Sequence, residues 1–324
     1  MPNPSSSDRR IDTALADVSI AHIQDQADAL YGNVCPVMPV PKASGKYFTY
    51  PTGVWNKRQA QRRAAGAPAA EGQFTVSNDS YSCELYSVVH KDPREETSQV
   101  DEAIDPEIEA TEWASGQVLM EADALIVAAM MAGSVWDTDV DGTTGTPVVG
   151  TSVRKWSEAS SDPITDMVQL NGLIKKKSTK WANVCVLGYD VWTVLLNHPV
   201  ITDRIKHTSS NSVRKEILAA LFEVEKVIVP GLSNNTAELG QTATPAFLAG
   251  ADDVGLFYIP SSPGKRTLSA AYAFAFDAED YKQGHRVSKW FDPRLNSDMT
   301  QVDLYIDIKI TATSAGAFID DCVD

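Results

Sequence analysis

Five histidines, four cysteines and one run of spaced aspartates are the side chains of this sequence best suited to chemistry. The histidines (His22, His90, His198, His207 and His285) are scattered, and none keeps metal-ligand spacing with a cysteine or carboxylate. His198 stands before Pro199 and reads as a helix-end residue. Asp137, Asp139, Asp141 and Gly142 copy the first half of an EF-hand loop, whose alternate oxygens surround a Ca²⁺ ion. The twelfth position should be a bidentate Glu and is Val148, so a turn rich in Asp and Gly is the better reading. Gly264 and Lys265 end like a phosphate-binding loop, but Ile259 stands where its first glycine belongs. The sequence contains no GxGxxG, HExxH or GxSxG. Cys35, Cys83, Cys185 and Cys322 lie far apart with no CxxC pair, and Cys185 sits in a buried-strand run as a small apolar filler. No residue is therefore assigned a catalytic, cofactor-binding or metal-ligating role. The concentrated polar constellation of an enzyme is missing.

The informative chemistry is charge. From Lys42 to Arg63 there are six basic residues (Lys42, Lys46, Lys57, Arg58, Arg62 and Arg63) and no acidic one. From Asp92 to Asp123 there are eleven acidic residues and one basic residue, Arg94. The plainer reading is two solvated faces of opposite sign. The sharper one is that the basic stretch reaches an acidic patch, in cis or on a neighbouring copy, because complementary charge sets register and partner choice. We adopt the sharper reading. Lys175, Lys176, Lys177 and Lys180 read instead as cations at the C-terminal end of a helix, where its dipole favours them.

Two elements must position these charges. The basic stretch lies between the strand-like Lys46–Tyr50 and the extended Gln73–Val76, joined by a segment rich in Ala, Gly, Arg and Gln with little to bury. This predicts a long two-stranded finger with a mobile tip. The acidic stretch runs into a helix predicted over Asp105–Gly133. Asp105 would be its N-cap, Pro106 its first residue and Gly133 its C-terminal cap. Leu125–Met131 is apolar all round and predicts burial, whereas Glu107–Gln117 is left available. Residues 162–270 alternate strands and helices like a compact α/β unit. The closing strand alternates Val302, Leu304, Ile306, Ile308 and Ile310 with Asp303, Tyr305, Asp307 and Lys309, predicting one buried and one wet face. Its expected cover is the apolar half of the long helix.

With 324 residues, 43% hydrophobic and 22% charged, the chain can bury a sizeable core. A net charge of −15 argues against a duplex-DNA binder, which needs a basic surface. The start, MPNPSSSDRRIDTALADVS, has no apolar core, so no secretory signal is expected, and free thiols in a reducing compartment fit the cysteines. No run of apolar residues is long enough for a transmembrane span.

The order of parts carries a resemblance. An arm ending in CPVMPVPKASGKYFTY is followed by the basic finger with RRAAGAP, the strand YSCELYSVVHKD, the long helix and the loop VWDTDV. LGYDVWTVLLNHPVITDRIK, LAALFEVEKVIVP, DVGLFYIPSSPG and the closing strand come next. Over nearly its whole length the chain resembles the major capsid protein of tailed bacteriophages, with the Hong Kong 97-like fold. The resemblance implies an α+β subunit with an N-terminal arm (1–40) and an extended loop (41–76). It also implies a peripheral domain (77–161 and 271–324, spine helix 106–132) and an axial domain (162–270). It implies pentamers and hexamers of this chain, an icosahedral shell around double-stranded DNA, assembly in the host bacterial cytoplasm and no cofactor or membrane. A separate scaffolding protein, a portal and possible decoration proteins would be the partners. Lys57, Arg58, Arg62 and Arg63 of one copy would lie over Glu107, Glu109 and Glu112 of a neighbour. Two other classes compete. One is an encapsulin-like nanocompartment. The other is a cytosolic oligomeric α/β enzyme with a pocket lined by Trp181, Trp192 or Tyr258.

Overall fold

The computed structural model describes residues 10–11, 29–50, 53, 56–97, 106–206, 214–235, 237, 241–242, 244–264 and 266–324. The expected arm (1–40) and the N-cap Asp105 fall largely or wholly outside them. Two sheets and one long helix organise the chain.

The main sheet is built on β15 (Ser297–Ile310). β5 (Glu84–Pro93) pairs antiparallel along one side of it. Along the other side run β14 (His285–Asp292) and then β13 (Ala271–Phe276), both antiparallel. β2 (Val37–Val40) adds in parallel to β13, and β1 (Arg10–Ile11) adds to β14. Helix α1 (Pro106–Met130) lies across this sheet. Proline opens it as expected, since its missing N–H falls among the unbonded donors of the first turn. Ala114, Val118, Leu119, Ala122, Ile126 and Met130 share one core with Val302, Leu304, Ile306 and Val287. The strand-on-helix layer read from alternation is thus present.

Three details differ from expectation. First, α1 stops at Met130, and the left-handed residue after it is Ser134 rather than Gly133. The helix end is satisfied by Trp136, whose indole N–H donates to the Met130 carbonyl at 2.8 Å. Second, α1 is not buried all round, because Glu121 and Ala128 are exposed. Third, the far face of β15 is not wet throughout. Asp303 is fully buried and accepts from Ser87 Oγ at 2.6 Å, Arg286 Nε at 2.9 Å and the Gln301 side chain. A buried charge persists only when paired and hydrogen-bonded, and here the Arg286 guanidinium supplies the pairing.

The second sheet runs in the order β7–β6–β16–β12–β8–β9. Its strands are β6 (Asp139–Thr143), β7 (Ser152–Arg154), β8 (Val184–Leu187), β9 (Lys226–Ile228), β12 (Val254–Phe257) and β16 (Gly316–Asp320). Helices α2 (Pro163–Ser178), α3 (Tyr189–Asn197), α4 (Pro199–Lys206) and α5 (Lys215–Leu221) accompany it. A small hairpin of β10 (Ser233–Asn235) and β11 (Pro245–Phe247) also belongs to this region. Asp162 caps α2 by accepting from Thr165 N–H at 3.2 Å. One face of the sheet (Cys185, Leu187, Val254, Leu256, Ile319) packs on Ile164, Met167, Leu170, Val191, Leu195 and Leu218. The other face (Val184, Val186, Ile228, Phe257, Phe318) joins the core under α1, where Trp136 and Phe257 meet with ring centroids 5.0 Å apart. A boundary at 161/162 and 270/271 would separate β6, β7 and β16 from the sheet they complete. Residues 139–154 and 316–323 belong structurally with 162–270.

At one end of this sheet Asp253 faces Asp320 across adjacent strands, with Asp252 beside it. Desolvation first, then these neighbouring carboxylates, pushes the Asp253 pKa up to about 7. Because the folded value lies above the unfolded one, the stability this group contributes is present in acid and lost as pH rises through about 7. Asp253→Asn should therefore raise stability at pH 8 by roughly 1–2 kcal/mol, after allowing for solvent screening, and flatten the melting profile between about pH 4 and pH 7. Asp303→Ala should lower it by about 3–5 kcal/mol in denaturant titrations at pH 7, because the partly buried Arg286 and the Ser87 and Gln301 side chains lose their shared acceptor.

Candidate functional site

The finger stem is a two-stranded antiparallel sheet of β3 (Ser44–Thr49) and β4 (Ser77–Ser82). The second strand begins just past the predicted Gln73–Val76. The strand expected over Tyr81–His90 is broken at Cys83, whose N–H donates to Ala43 O at 2.7 Å as the chain passes from finger to main sheet. An isolated two-stranded hairpin is marginal in water, so it must lean on something. One of its faces does. Tyr81 stacks on Phe274 with ring centroids 4.8 Å apart, Tyr47 lies 5.1 Å from the same ring, and Val40, Cys83 and Tyr272 complete a small separate core. The opposite face is largely open to solvent. Phe48 is 67% exposed and Phe74 is 66% exposed, with Val76 and Tyr50 also open. Alternation in Lys46, Phe48 and Tyr50 carried that signal.

Beyond the stem the chain is a loop held partly by its own side chains. Gln59 clamps the two limbs, its Oε1 accepting from Gln73 N–H at 2.7 Å and its Nε2 donating to Gln73 O at 2.9 Å. Lys57, Arg58, Arg62 and Arg63 are all exposed. Arg63 donates to Ala67 O at 2.9 Å, while Lys57, Arg58 and Arg62 meet no carboxylate among the described residues.

The first turns of α1 carry the opposite charge. Glu109 and Glu112 are exposed and unpaired among the described residues, and Trp113 between them and the C-terminal half is 49% exposed. The Trp113 ring meets His90 edge-on at 5.4 Å, and His90 Nε2 lies 3.0 Å from Asp92. Glu107 differs from its neighbours. It forms an ion pair with Lys289 of β14, where α1 crosses the sheet. Glu107 thus has a partner within its own chain, whereas Glu109 and Glu112 meet no cation among the described residues. Within one chain, no described ion pair joins the finger's cations to these carboxylates. The sites are two separate surfaces of complementary charge, each with an apolar component.

The other candidates settle into structural roles. Lys177 donates to the Asp137 carbonyl and, at 2.7 Å, to Thr138 Oγ1, so Asp137 sits in a tethered turn, whereas Asp139, Asp141 and Gly142 lie in strand β6 and not in the turn expected for the whole aspartate run. No group of three or more potential ligands could hold a metal among the described residues. Lys175 donates to Thr179 O at 2.7 Å, at the C-terminal end of α2. A shallow cavity of about 480 Å³ is lined by Trp156, Ser157, Thr193, Val194, Asn197 and His198. It lies apart from Trp181 and Tyr258. His198 closes its loop, with Nε2 3.0 Å from Ser161 Oγ, and burial lowers its pKa. All four cysteines are buried and free. No described helix is long and apolar enough to cross a membrane.

With this geometry in hand, likeness to known proteins is informative. No protein-family model matches the chain. A stretch of 78 residues is 28% identical to the major capsid protein of Burkholderia phage BcepMu, a match spanning 24% of this chain and 25% of that relative. A phage-related protein from Bordetella bronchiseptica RB50 superimposes with a TM-score of 0.73 at 21% identity, over 97% of this chain and 98% of the other. The virus-like particle from Pyrococcus furiosus gives a TM-score of 0.54 at 10% identity, over 95% and 98%. The capsid of cyanophage P-SCSP1u gives 0.52 at 8% identity, over 89% and 86%. The fold is that of the Hong Kong 97-like capsid proteins.

Because the charged groups of both surfaces are exposed, reversing Glu109 and Glu112 to Lys should change the stability of the isolated chain by no more than about 0.5 kcal/mol. Glu107→Gln, which breaks the pair with Lys289, should cost up to about 1 kcal/mol. Thermal melts of the unassembled chain would separate the two.

Proposed function

We propose that this chain is the major capsid protein of a tailed bacteriophage, assembling as pentamers and hexamers into an icosahedral shell around double-stranded DNA. The observation that carries the reading is the finger. Its inner face leans on its own subunit, whereas Phe48 and Val76 stay exposed to solvent and Lys57, Arg58 and Arg62 meet no carboxylate among the described residues. The capsid fold and the partial likeness to a phage major capsid protein support the same role. The finger of one copy would lie on α1 of the next. Phe48, Phe74 and Val76 would cover apolar surface beside Trp113, and Lys57, Arg58, Arg62 and Arg63 would face Glu109 and Glu112. The contact is heterologous, joining different patches on the two copies, so it can close rings of subunits. In this role 77–138 and 271–315 form the peripheral domain, and 139–270 with 316–323 the axial domain. A net charge of −15 suits a container that must hold DNA without gripping it. The role is structural, with scaffolding protein and portal as further partners and the virion as its location.

Each exposed pair contributes only about 0–1 kcal/mol, so the effect depends on repetition around the shell. Electron micrographs of the expressed protein, alone and with its neighbouring genes' products, should show shells tens of nanometres wide. Reversing Lys57, Arg58, Arg62 and Arg63 to Glu should abolish them while leaving circular dichroism and melting unchanged. Normal shells from the reversed protein would sink the finger contact. A small discrete oligomer from the unaltered protein would sink the shell itself. Shells that enclose protein cargo and no DNA would point to a nanocompartment.

A further inference from the structure

The root of the N-terminal arm meets α1 at a buried carboxylate. Asp123 is 1% exposed, and its Oδ2 and Oδ1 accept from the N–H groups of Leu30 at 3.0 Å and Tyr31 at 2.8 Å. These amides open a tight turn in which Asn33 and Val34 donate back to Leu30 O at 3.2 and 2.8 Å. Leu30, Tyr31, Val34 and Cys35 are buried in the core that also holds Ala122 and Ile126 of α1. A carboxylate so placed ordinarily has a cation beside it. Here only the two amides and burial itself act on it.

The surrounding titratable groups leave it alone. Tyr31 and Cys35 on the arm root are kept neutral by burial. His285 of β14, edge-on to Tyr31 at 6.2 Å, is lowered by burial to about 4 and is also neutral above that pH. β13 and β15 contribute apolar groups to this core, Ala271, Ala273 and Ala275 from one and Val302, Leu304 and Ile306 from the other. We propose that Asp123 is a proton-linked clasp on the root of the N-terminal arm, holding residues 29–35 more tightly in mild acid than at alkaline pH.

The physical reason is the difference between a docked and an opened root. When the root opens, the carboxyl returns to water and to its ordinary acidity near pH 4. When docked, desolvation raises its pKa to about 6 against the opposing pull of the two amides. The docked state therefore keeps its proton to higher pH. Its extra stability is fully present below the opened-state value and is lost as pH rises through about 6. Between pH 8 and pH 5 the docking equilibrium should strengthen about tenfold.

Hydrogen exchange of the Leu30 and Tyr31 amides in the full-length chain tests this, once corrected for intrinsic pH effects. Protection should be about tenfold greater at pH 5 than at pH 8, and Asp123→Asn should remove the dependence. Equal dependence in the variant would overturn the clasp, as would unchanged or falling protection toward pH 5 in the unaltered protein. Should the variant fail to fold, a carbon-13 titration of the Asp123 carboxyl in the unaltered protein decides. A midpoint near 6 that tracks the protection supports the clasp, and one near 4 refutes it.

Discussion

Helix α1 has to lie across β15 before other parts of the molecule have a fixed place. The strands it covers come from residues 84–93 and 285–310, so no local stretch can close this layer alone. The helix brings both small residues, Ala114 and Ala122, and larger ones, Leu119, Ile126 and Met130, into the core it shares with the sheet. Its end then delivers Trp136 to Phe257, which welds the second sheet to the same core. Its start leaves Glu109 and Glu112 exposed to solvent. One rigid element thereby holds two cores together and fixes the direction of a charged surface relative to them.

This arrangement separates the forces that fold the chain from those available for association. Folding rests on apolar burial, which is insensitive to salt, and on a few buried polar contacts such as Asp303 with Arg286 and Asp123 with the arm root. Outside the cores the cations of the finger and the carboxylates of α1 remain solvated and individually weak. Weak, repeated contacts suit a shell, because subunits that bind wrongly can still dissociate and rebind before the structure closes. Salt should tune association much more than folding, since exposed charges are screened within about 8–10 Å at ordinary ionic strength.

Much of the fold was legible because burial leaves a period in the sequence. Val302 to Ile310 alternate as one face of a strand, Pro106 opens α1 and Asp162 caps α2, each for a local reason. The missed elements lack such a mark. β14 (His285–Asp292) mixes charged and aromatic residues because one face sits under a helix while the other carries Arg286 to a buried aspartate. β6 and β16 join the second sheet through a parallel pairing between residues almost 180 positions apart, which no window of sequence displays. The buried Asp303 defeated the alternation rule because its partners, Ser87 and Arg286, arrive from other strands. Glu107 looked like its neighbours and was grouped with them. Only the crossing of β14 beneath the first turn of α1 brings Lys289 to it.

The finger shows why an open face can be read as a positive feature. A hairpin of six residues a side without a core would fray, yet β3 and β4 keep full register from Ser44–Ser82 to Thr49–Ser77. Tyr47 and Tyr81 account for this by anchoring one face on Phe274. The anchoring does not explain Phe48, whose side chain adds nothing to the subunit's own core while leaving a large aromatic surface in water. A monomer gains by replacing such a residue with a polar one, since scattered apolar exposure is tolerated but clustered exposure invites association. Lys46 and the basic loop beside this patch reduce indiscriminate sticking, because only a surface both apolar and acidic can satisfy the whole finger. The turn around Trp113, flanked by Glu109 and Glu112, has that composition. Within the proposed shell, the aromatics would supply the contact area and the charges would choose where it forms.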